Sequence, residues 1–341
     1  MRNYVGFISE NYSFDILRPL QKAALSRGDQ FFWFVDGTDV NLKLFKQEEQ
    51  LITDIYQLNS LQPDAVFVPG NIVPSFIPGL KVQVFHGFEW KKKGHWRIRD
   101  CFDLYCTQGP LFTKKFNELK QKHKHFMVVE TGWPKLDYDL SQSQQTDSAS
   151  HLTTVLYAPT FSPAFTSTPD LFEAIIKLSK QNDWRWLIKF HPKMASEWVE
   201  KFKAQAHEKL QIVGDTQLFD VFQQSDVILS DTSSIITEFI LQGKPAVTYK
   251  NAQPEEVLIN FTDPTQLEHS LSLALNGNSK KEQIADYCQQ MHPYNDQKSS
   301  ERILDAVEHI LQNQLCAEKR KPLNLFRQLK MRKAYRYWRF F

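Results

Sequence analysis

Apolar positions along this chain gather into short solid runs separated by longer amphipathic stretches. Tyr4–Ile8, Phe31–Val35, Ala65–Val68, Val82–Phe85, Asp103–Cys106 and Phe126–Val129 have strand length and almost no internal polar residue. Between the first two, Asp15 to Arg27 carries Ile16, Leu17, Leu20, Ala23, Ala24 and Leu25 at helical spacing and is closed by Gly28. Pro110 to Lys122 predicts a second helix. A strand exposed on one face would alternate apolar with polar. Continuous apolar strands interleaved with helices therefore predict a parallel sheet covered on both faces.

From Tyr138 to His151 the chain turns to Ser, Gln, Thr and Asp, which predicts a linker. The pattern then restarts. Strands are expected at Thr154–Tyr157, Arg185–Phe190, Gln211–Val213, Val227–Leu229 and Ala246–Tyr249. Helices are expected at Leu171–Lys180, Glu197–His207, Leu218–Gln224, Ser234–Gln242, Thr265–Leu275, Lys281–Met291 and Ser299–Gln312. The fold class is thus α/β, with two doubly wound, Rossmann-like parallel-sheet domains. The expected division is residues 1–140, a polar linker at 141–152, a second domain at 153–315 and a tail at 316–341. Two such halves imply a cleft between them, with sites at the C-terminal ends of strands.

Composition narrows this picture. With 42% hydrophobic and 23% charged residues over 341 positions, the chain is neither disordered nor fibrous. Four Cys (Cys101, Cys106, Cys288, Cys316) are too few for a disulfide scaffold and lack zinc-like His spacing, so reduced thiols in a cytosolic protein are expected. Val5 to Ile8 is interrupted by Gly6 and halts at Ser9-Glu10-Asn11, unlike a signal peptide. No stretch approaches the roughly 20 apolar residues of a membrane span. The net charge of +2 is uneven: Ala317 to Phe341 holds nine basic residues against Glu318, a local +8 that leaves the body at −6. An acidic body argues against nucleic acid, while the basic tail stands apart electrostatically.

The candidate chemistry lies where strands end. Ser230-Asp231-Thr232-Ser233-Ser234 follows one strand and precedes a helix, so hydroxyls and free backbone N–H groups there suit a phosphate, although simple helix capping uses the same residues. Glu238, one turn on, reaches toward ribose hydroxyls or is an ordinary helix residue. Lys189-Phe190-His191-Pro192 ends another strand, with Pro192 fixing the histidine at the tip; a structural histidine is the plain alternative. In the first half, Phe85-His86-Gly87 precedes Trp90-Lys91-Lys92-Lys93-Gly94-His95. Gly87 permits a sharp turn, and His86 is a candidate general base because an ordinary imidazole is largely neutral at cellular pH. Tyr157-Ala158-Pro159-Thr160-Phe161 offers the Thr160 hydroxyl, or merely a turn.

The ordered set His86-Gly87, Lys93-Gly94, Gly132-Trp133-Pro134-Lys135-Leu136-Asp137, Tyr157-Ala158-Pro159-Thr160, Lys189-Phe190-His191-Pro192 and Asp231-Thr232-Ser233-Ser234 resembles the CDP-glycerol glycerophosphotransferase family, enzymes that build teichoic-acid-type polymers. The resemblance implies a GT-B-like fold whose C-terminal half takes the donor nucleotide. It implies His86 as the base that activates the acceptor hydroxyl and puts His191 at a donor pyrophosphate-binding position, which makes the two histidines the catalytic candidates. Thr160, Lys189, Asp231, Thr232, Ser233, Ser234 and Glu238 become donor-binding candidates, and Gly87, Lys93 and Asp137 acceptor-side candidates. This chain departs from the family where Phe88-Glu89-Trp90 replaces small residues and Pro, Lys189 and Lys135 replace Arg, Phe161 replaces Trp, and Glu238 replaces Asp.

The implied reaction moves an alditol phosphate from a CDP-activated donor to a hydroxyl of a lipid-linked or surface glycan, releasing CMP. Fixed N–H and cationic donors serve the phosphates, no Asp/His ligand cluster stands out, and no metal is expected. The basic aromatic tail is expected to hold the enzyme against the anionic inner face of the cytoplasmic membrane, unless it folds back on the first domain. A nucleotide-sugar glycosyltransferase and a catalytically silent assembly partner are the alternatives.

Overall fold

The computed structural model describes residues 1–137, 152–214, 218–276 and 280–338. All but the last position of the expected linker at 141–152 lies outside the described residues, as do Arg339, Phe340 and Phe341 of the tail. In the first stretch, β1 (Asn3–Ile8) leads into α1 (Ser13–Ser26), β2 (Gln30–Val35), β3 (Gln50–Ile52), α2 (Ile55–Ser60), β4 (Ala65–Val68) and β5 (Leu80–Gln83). Then follow β6 (Leu104–Thr107), α3 (Pro110–His123) and β7 (Met127–Glu130). These strands form one parallel sheet in the order β3-β2-β1-β4-β5-β6-β7. The order reverses between β1 and β4, which opens a crevice at the carboxyl ends of those two strands.

In the second stretch come β8 (Thr154–Tyr157), α4 (Thr168–Gln181), β9 (Arg185–Ile188), α5 (Ser196–Ala204), β10 (Leu210–Ile212), α6 (Leu218–Gln223) and β11 (Val227–Ser230). They continue with α7 (Ile235–Ile240), β12 (Ala246–Tyr249), β13 (Leu258–Phe261), α8 (Leu267–Leu275) and α9 (Lys281–Met291). This second parallel sheet runs β10-β9-β8-β11-β12-β13, with its reversal between β8 and β11. Successive side chains of β8 enter different cores. Val155 and Tyr157 pack with Leu171, Ile175, Trp186 and Phe202, whereas Leu156 packs with Phe222, Ile228 and Phe239. Burial on both faces is why this strand reads as uninterrupted apolar sequence. The last helices are α10 (Ser299–Gln312) and α11 (Leu325–Tyr335).

The α/β class and the two Rossmann-like sheets agree with the sequence reading. The division of the chain does not. One compact unit combines Met1–Tyr138 with Gln290–Phe341, and the other is Asp139–Gln289. The domain expected to continue to residue 315 therefore ends earlier, because α10 packs on the first unit. The Asp137 carboxylate accepts from Ser299 N at 2.9 Å and Ser300 N at 2.6 Å, capping the helix. Arg302 Nε donates to Thr131 O at 2.7 Å, and Arg27 pairs with Asp305 at 2.7 Å. Gly132, at φ +82°, must be Gly here: a Cβ would strike Ser299 Oγ and come within 2.9 Å of His292 Nε2.

The tail folds onto the same unit. Tyr335 Oη donates to Asp36 Oδ1 at 2.5 Å, the Tyr337 ring stacks on Phe76 at 4.8 Å, and Tyr56 Oη donates to Arg336 O at 3.0 Å. The opposite side of α11 leaves Leu325 63% and Phe326 93% exposed.

Candidate active site

In the first unit the site is built around His86, three residues past the last pairing position of β5. Phe85 sits at φ +60°, a left-handed conformation that a bulky residue adopts only under constraint from its surroundings. The constraint is visible: Trp133 Nε1 donates to Phe85 O at 3.2 Å, and Gln108 Nε2 to Gly87 O at 2.9 Å. Phe88 packs edge-on against Trp133 at 5.2 Å. The Gly132-Trp133 motif thus holds the His86 turn in place.

His86 is partly exposed, with Nδ1 3.3 Å from Pro69 O. Because a carbonyl can only accept, Nδ1 carries a proton and Nε2 is the base atom. Pro69 follows β4, so this contact ties the imidazole to the crevice between β1 and β4. Nε2 in turn lies 3.3 Å from Glu89 Oε2, while Lys92 Nζ holds the other carboxylate oxygen at 2.5 Å. Once Nε2 carries a proton, its hydrogen bond is the largest influence on Glu89; together with Lys92 it overrides partial burial and takes the carboxyl down to about 2. In the sequence Glu89 stands out only as a departure from the family. Its spacing of three residues from His86 is the signal that was present.

The acceptor-side candidates separate. Gly87 is buried and shapes the turn; Lys93 is exposed in a short helical turn, Lys93–Trp96. Asp137 is a correction: both carboxylate oxygens are engaged at the N-terminus of α10, so it stabilises the fold and is not aimed at an acceptor. His95 is buried against Phe85 at 5.2 Å, and burial holds its imidazole down at about 4.

In the second unit the candidates meet around the strand reversal. The Asp231 carboxylate, after β11, accepts from Thr160 N (3.0 and 3.1 Å), Ser167 N (2.9 Å), Ser167 Oγ (3.0 Å) and Thr232 N (2.7 Å). Burial pushes its pKa up and the backbone donors pull the other way. Asp231 is therefore a positioning residue that joins the loops after β8 and β11; its oxygens are not left for a nucleotide. Thr232 Oγ1 accepts from Ala252 N at 3.1 Å, and Asn251 Nδ2 donates to Asp231 O at 2.6 Å, which recruits the loop after β12. Neither Asn251 nor Ser167 carried any sequence signal.

His191 is exposed beyond β9, its ring stacked on Phe161 at 4.3 Å. Lys193 N donates to Nδ1 at 3.0 Å, so the neutral ring carries its proton on Nε2 and offers an N–H to solvent. Partial burial, then the Lys193 charge, lowers its pKa and favours that neutral form. Phe161, another departure from the family, is the surface on which this histidine rests. The Lys189 ammonium donates to Gly214 O and is not extended freely into solvent.

Ser233 Oγ accepts from Ile235 N at 3.4 Å, and Ser234 makes no capping bond with its side chain. The helix they precede is shorter than the sequence predicts, six residues instead of Ser234–Gln242, so its dipole is a weaker contribution than expected. Glu238 is buried in that helix, which disfavours direct contact with a ribose.

The match to known families fits this arrangement. A model described as CDP-Glycerol:Poly(glycerophosphate) glycerophosphotransferase covers residues 85–309, well over half of the chain. The chain belongs to this family. It is accordingly an enzyme of the glycerophosphotransferase type, as the motifs implied. No curated protein matched the sequence. Among solved structures, the wall teichoic acid polymerase TagF aligns with a TM-score of 0.64 at 14% identity, over 91% of this chain and 89% of that one. A putative UDP-N-acetylglucosamine 2-epimerase from Listeria monocytogenes aligns with a TM-score of 0.63 at 15% identity, over 92% and 97%. The S. aureus MnaA–UDP complex gives 0.62 at 16%, over 94% and 100%. At these identities the likeness establishes the fold, a GT-B-like α/β organisation.

Proposed function

We propose that this glycerophosphotransferase moves glycerol phosphate, or a related alditol phosphate, from a CDP-activated donor to a hydroxyl of a lipid-linked or surface glycan. The acceptor oxygen attacks the alditol-side phosphorus, the bond from that phosphorus to the CMP oxygen breaks, and CMP leaves. His86 Nε2 takes the hydroxyl proton, and Glu89 stabilises the imidazolium that forms. On the donor side, His191 Nε2–H, the hydroxyls of Thr160, Ser233 and Ser234, and the Lys189 ammonium serve the pyrophosphate, with Asp231 fixing the loops that carry them. The observation that carries this reading is the family match over residues 85–309, which spans both His86 and the Asp231 cluster.

Incubation with CDP-glycerol, CDP-ribitol, UDP-sugars and GDP-sugars in the presence of membrane extract tests it. CMP release dependent on a CDP-alditol is expected. Release of UDP or GDP instead would make the protein a nucleotide-sugar transferase, and no release with any donor would make it a silent partner.

The tail supports a peripheral location on the cytoplasmic face of the membrane. Among the described residues no helix is long and apolar enough to cross a bilayer. Leu325, Phe326 and Leu329 are exposed on α11, interleaved with Arg327, Lys330 and Lys333. Basic residues near an anionic leaflet contribute about 1 kcal/mol each, and exposed aromatics favour the headgroup zone.

A further inference from the structure

Asp100 lies more than 20 residues before His123 and His125, yet the fold gathers one donor atom from each within 4.8 Å of one another. We propose that these three side chains bind a divalent cation of the zinc class. Asp100 precedes β6, and His123 and His125 precede β7, whereas His86 follows β5. In a parallel sheet this places the cluster at the strand ends opposite those that carry the candidate base, so its ion is structural and takes no part in phosphoryl transfer.

The arrangement around His125 points to a cation. His125 Nδ1 lies 3.2 Å from His123 O, a carbonyl that can only accept, so Nδ1 donates there and Nε2 is the ring atom that faces Asp100. That Nε2 is buried and makes no hydrogen bond, although Asp100 Oδ1 is 3.2 Å away. A buried ring nitrogen and a carboxylate oxygen that face each other without an aligned hydrogen bond form a pair that one ion can ligate. A backbone carbonyl behind the far nitrogen is also how metal-binding histidines are usually oriented.

His123 Nδ1 is 3.9 Å from the same Asp100 oxygen. Donors around a tetrahedral ion with bonds of about 2.0–2.1 Å sit roughly 3.3 Å apart. The first spacing already suits this, and the second closes by a small swing of His123, which is partly exposed at the end of α3. Asp100 Oδ2 is held by Asn324 Nδ2 at 3.3 Å, leaving Oδ1 for the ion. The exposed edges of Asp100 and His123 provide an entry path and room for a water as fourth ligand.

Neighbouring cations are mostly engaged elsewhere. Lys124 pairs with Glu318 at 3.1 Å, Lys321 with Asp103 at 2.6 Å, and the Arg327 guanidinium donates to Arg99 O. Two imidazoles and one carboxylate suit zinc, cobalt or nickel better than calcium or magnesium, which prefer all-oxygen sites.

The test uses untagged full-length protein stripped with a chelator and titrated with Co²⁺, followed by Zn²⁺ competition. One Co²⁺ per chain with the visible bands of a four-coordinate ion is expected, together with a higher Tm on adding Zn²⁺. His123→Ala and Asp100→Asn, both at partly exposed positions, should each weaken Co²⁺ binding by about 10-fold or more and abolish the Tm shift. Absence of one-to-one binding, or equal binding in these variants, would overturn the site and leave His125 and Asp100 as a simple ion pair. His125→Ala serves as a third variant if circular dichroism shows it folded.

Discussion

The imidazole Nε2 of His86 lies 3.3 Å from Glu89 Oε2, and its Nδ1 lies 3.3 Å from Pro69 O. The backbone carbonyl sets the tautomer and the carboxylate faces the atom that must take a proton. Glu89→Gln keeps the shape and removes the charge that stabilises the imidazolium. Turnover should fall about 10-fold with the donor Kd unchanged, and Glu89→Asp should restore part of it. A variant as active as the parent would remove Glu89 from the mechanism. Its carboxyl is held at about 2, below the value in the unfolded chain, so the stability it contributes is lost as pH falls from about 4.5 toward 2.

His86→Ala and His191→Ala should separate in steady-state kinetics and calorimetry. Loss of the base should lower kcat by about 10² or more while CDP-glycerol binding stays within about twofold. Loss of the donor-side N–H should weaken CDP-glycerol binding instead. If His86→Ala costs less than about threefold in kcat, the base lies elsewhere.

Asp231→Ala leaves the Thr160 and Ser167 N–H groups without their acceptor in a buried place. A loss on the order of 3 kcal/mol of stability is expected from orphaned donors. Donor affinity should fall as well, because the loops after β8 and β11 lose their common tie. Urea unfolding and calorimetry read the two effects; an unchanged midpoint with unchanged affinity would contradict the positioning role.

Burial holds both His95 and His292 at about 4, whereas in the unfolded chain they return to about 6.5. Between these values the unfolded state binds more protons, so stability should decline as pH drops from about 6.5 to about 4. His292 Nε2 accepts from Trp133 N at 3.0 Å, a role that a glutamine oxygen can take over. His292→Gln should therefore reduce the pH slope of unfolding free energy by about one proton. An identical slope would show that His292 titrates alike in both states.

Removing the whole tail would strip Tyr335 and Tyr337 from the first unit, so truncation confounds anchoring with folding. Leu325→Ser/Phe326→Ser changes only exposed side chains. Flotation with anionic liposomes should fall severalfold, with Tm and turnover on a soluble acceptor preserved. Equal flotation of variant and parent would mean that α11 does not hold the membrane.

Local pattern was enough for the elements whose burial is complete. Tyr4–Ile8 and Thr154–Tyr157 are apolar throughout because both faces of their sheets are covered, and β1 and β8 appear where that pattern places them. The three-residue strand β3 and the partly exposed β13 escaped notice, since Gln50-Leu51-Ile52 and Leu258–Phe261 present too short or too mixed a pattern. The motif order was likewise legible, and it led to the family that the wider match confirms.

Tertiary structure decided which motif residues are available for chemistry. Asp231 and Asp137 look alike in sequence, acids beside strand-end motifs, yet one ties two loops together and the other caps α10. A carboxylate's role depends on which N–H groups the fold brings to it, and these come from 64 and 71 residues away for Asp231 and from 162 and 163 residues away for Asp137. The same holds for α10 itself. Its apolar stripe of Ile303, Leu304, Val307 and Ile310 announces a buried face, but any complementary surface would satisfy it. Only the capping by Asp137 and the packing beside α1 assign it to the first unit. Asp100, His123 and His125 converge for the same reason: hydrophobic periodicity encodes which face is buried, while the meeting of polar side chains is set by strand order and loop path.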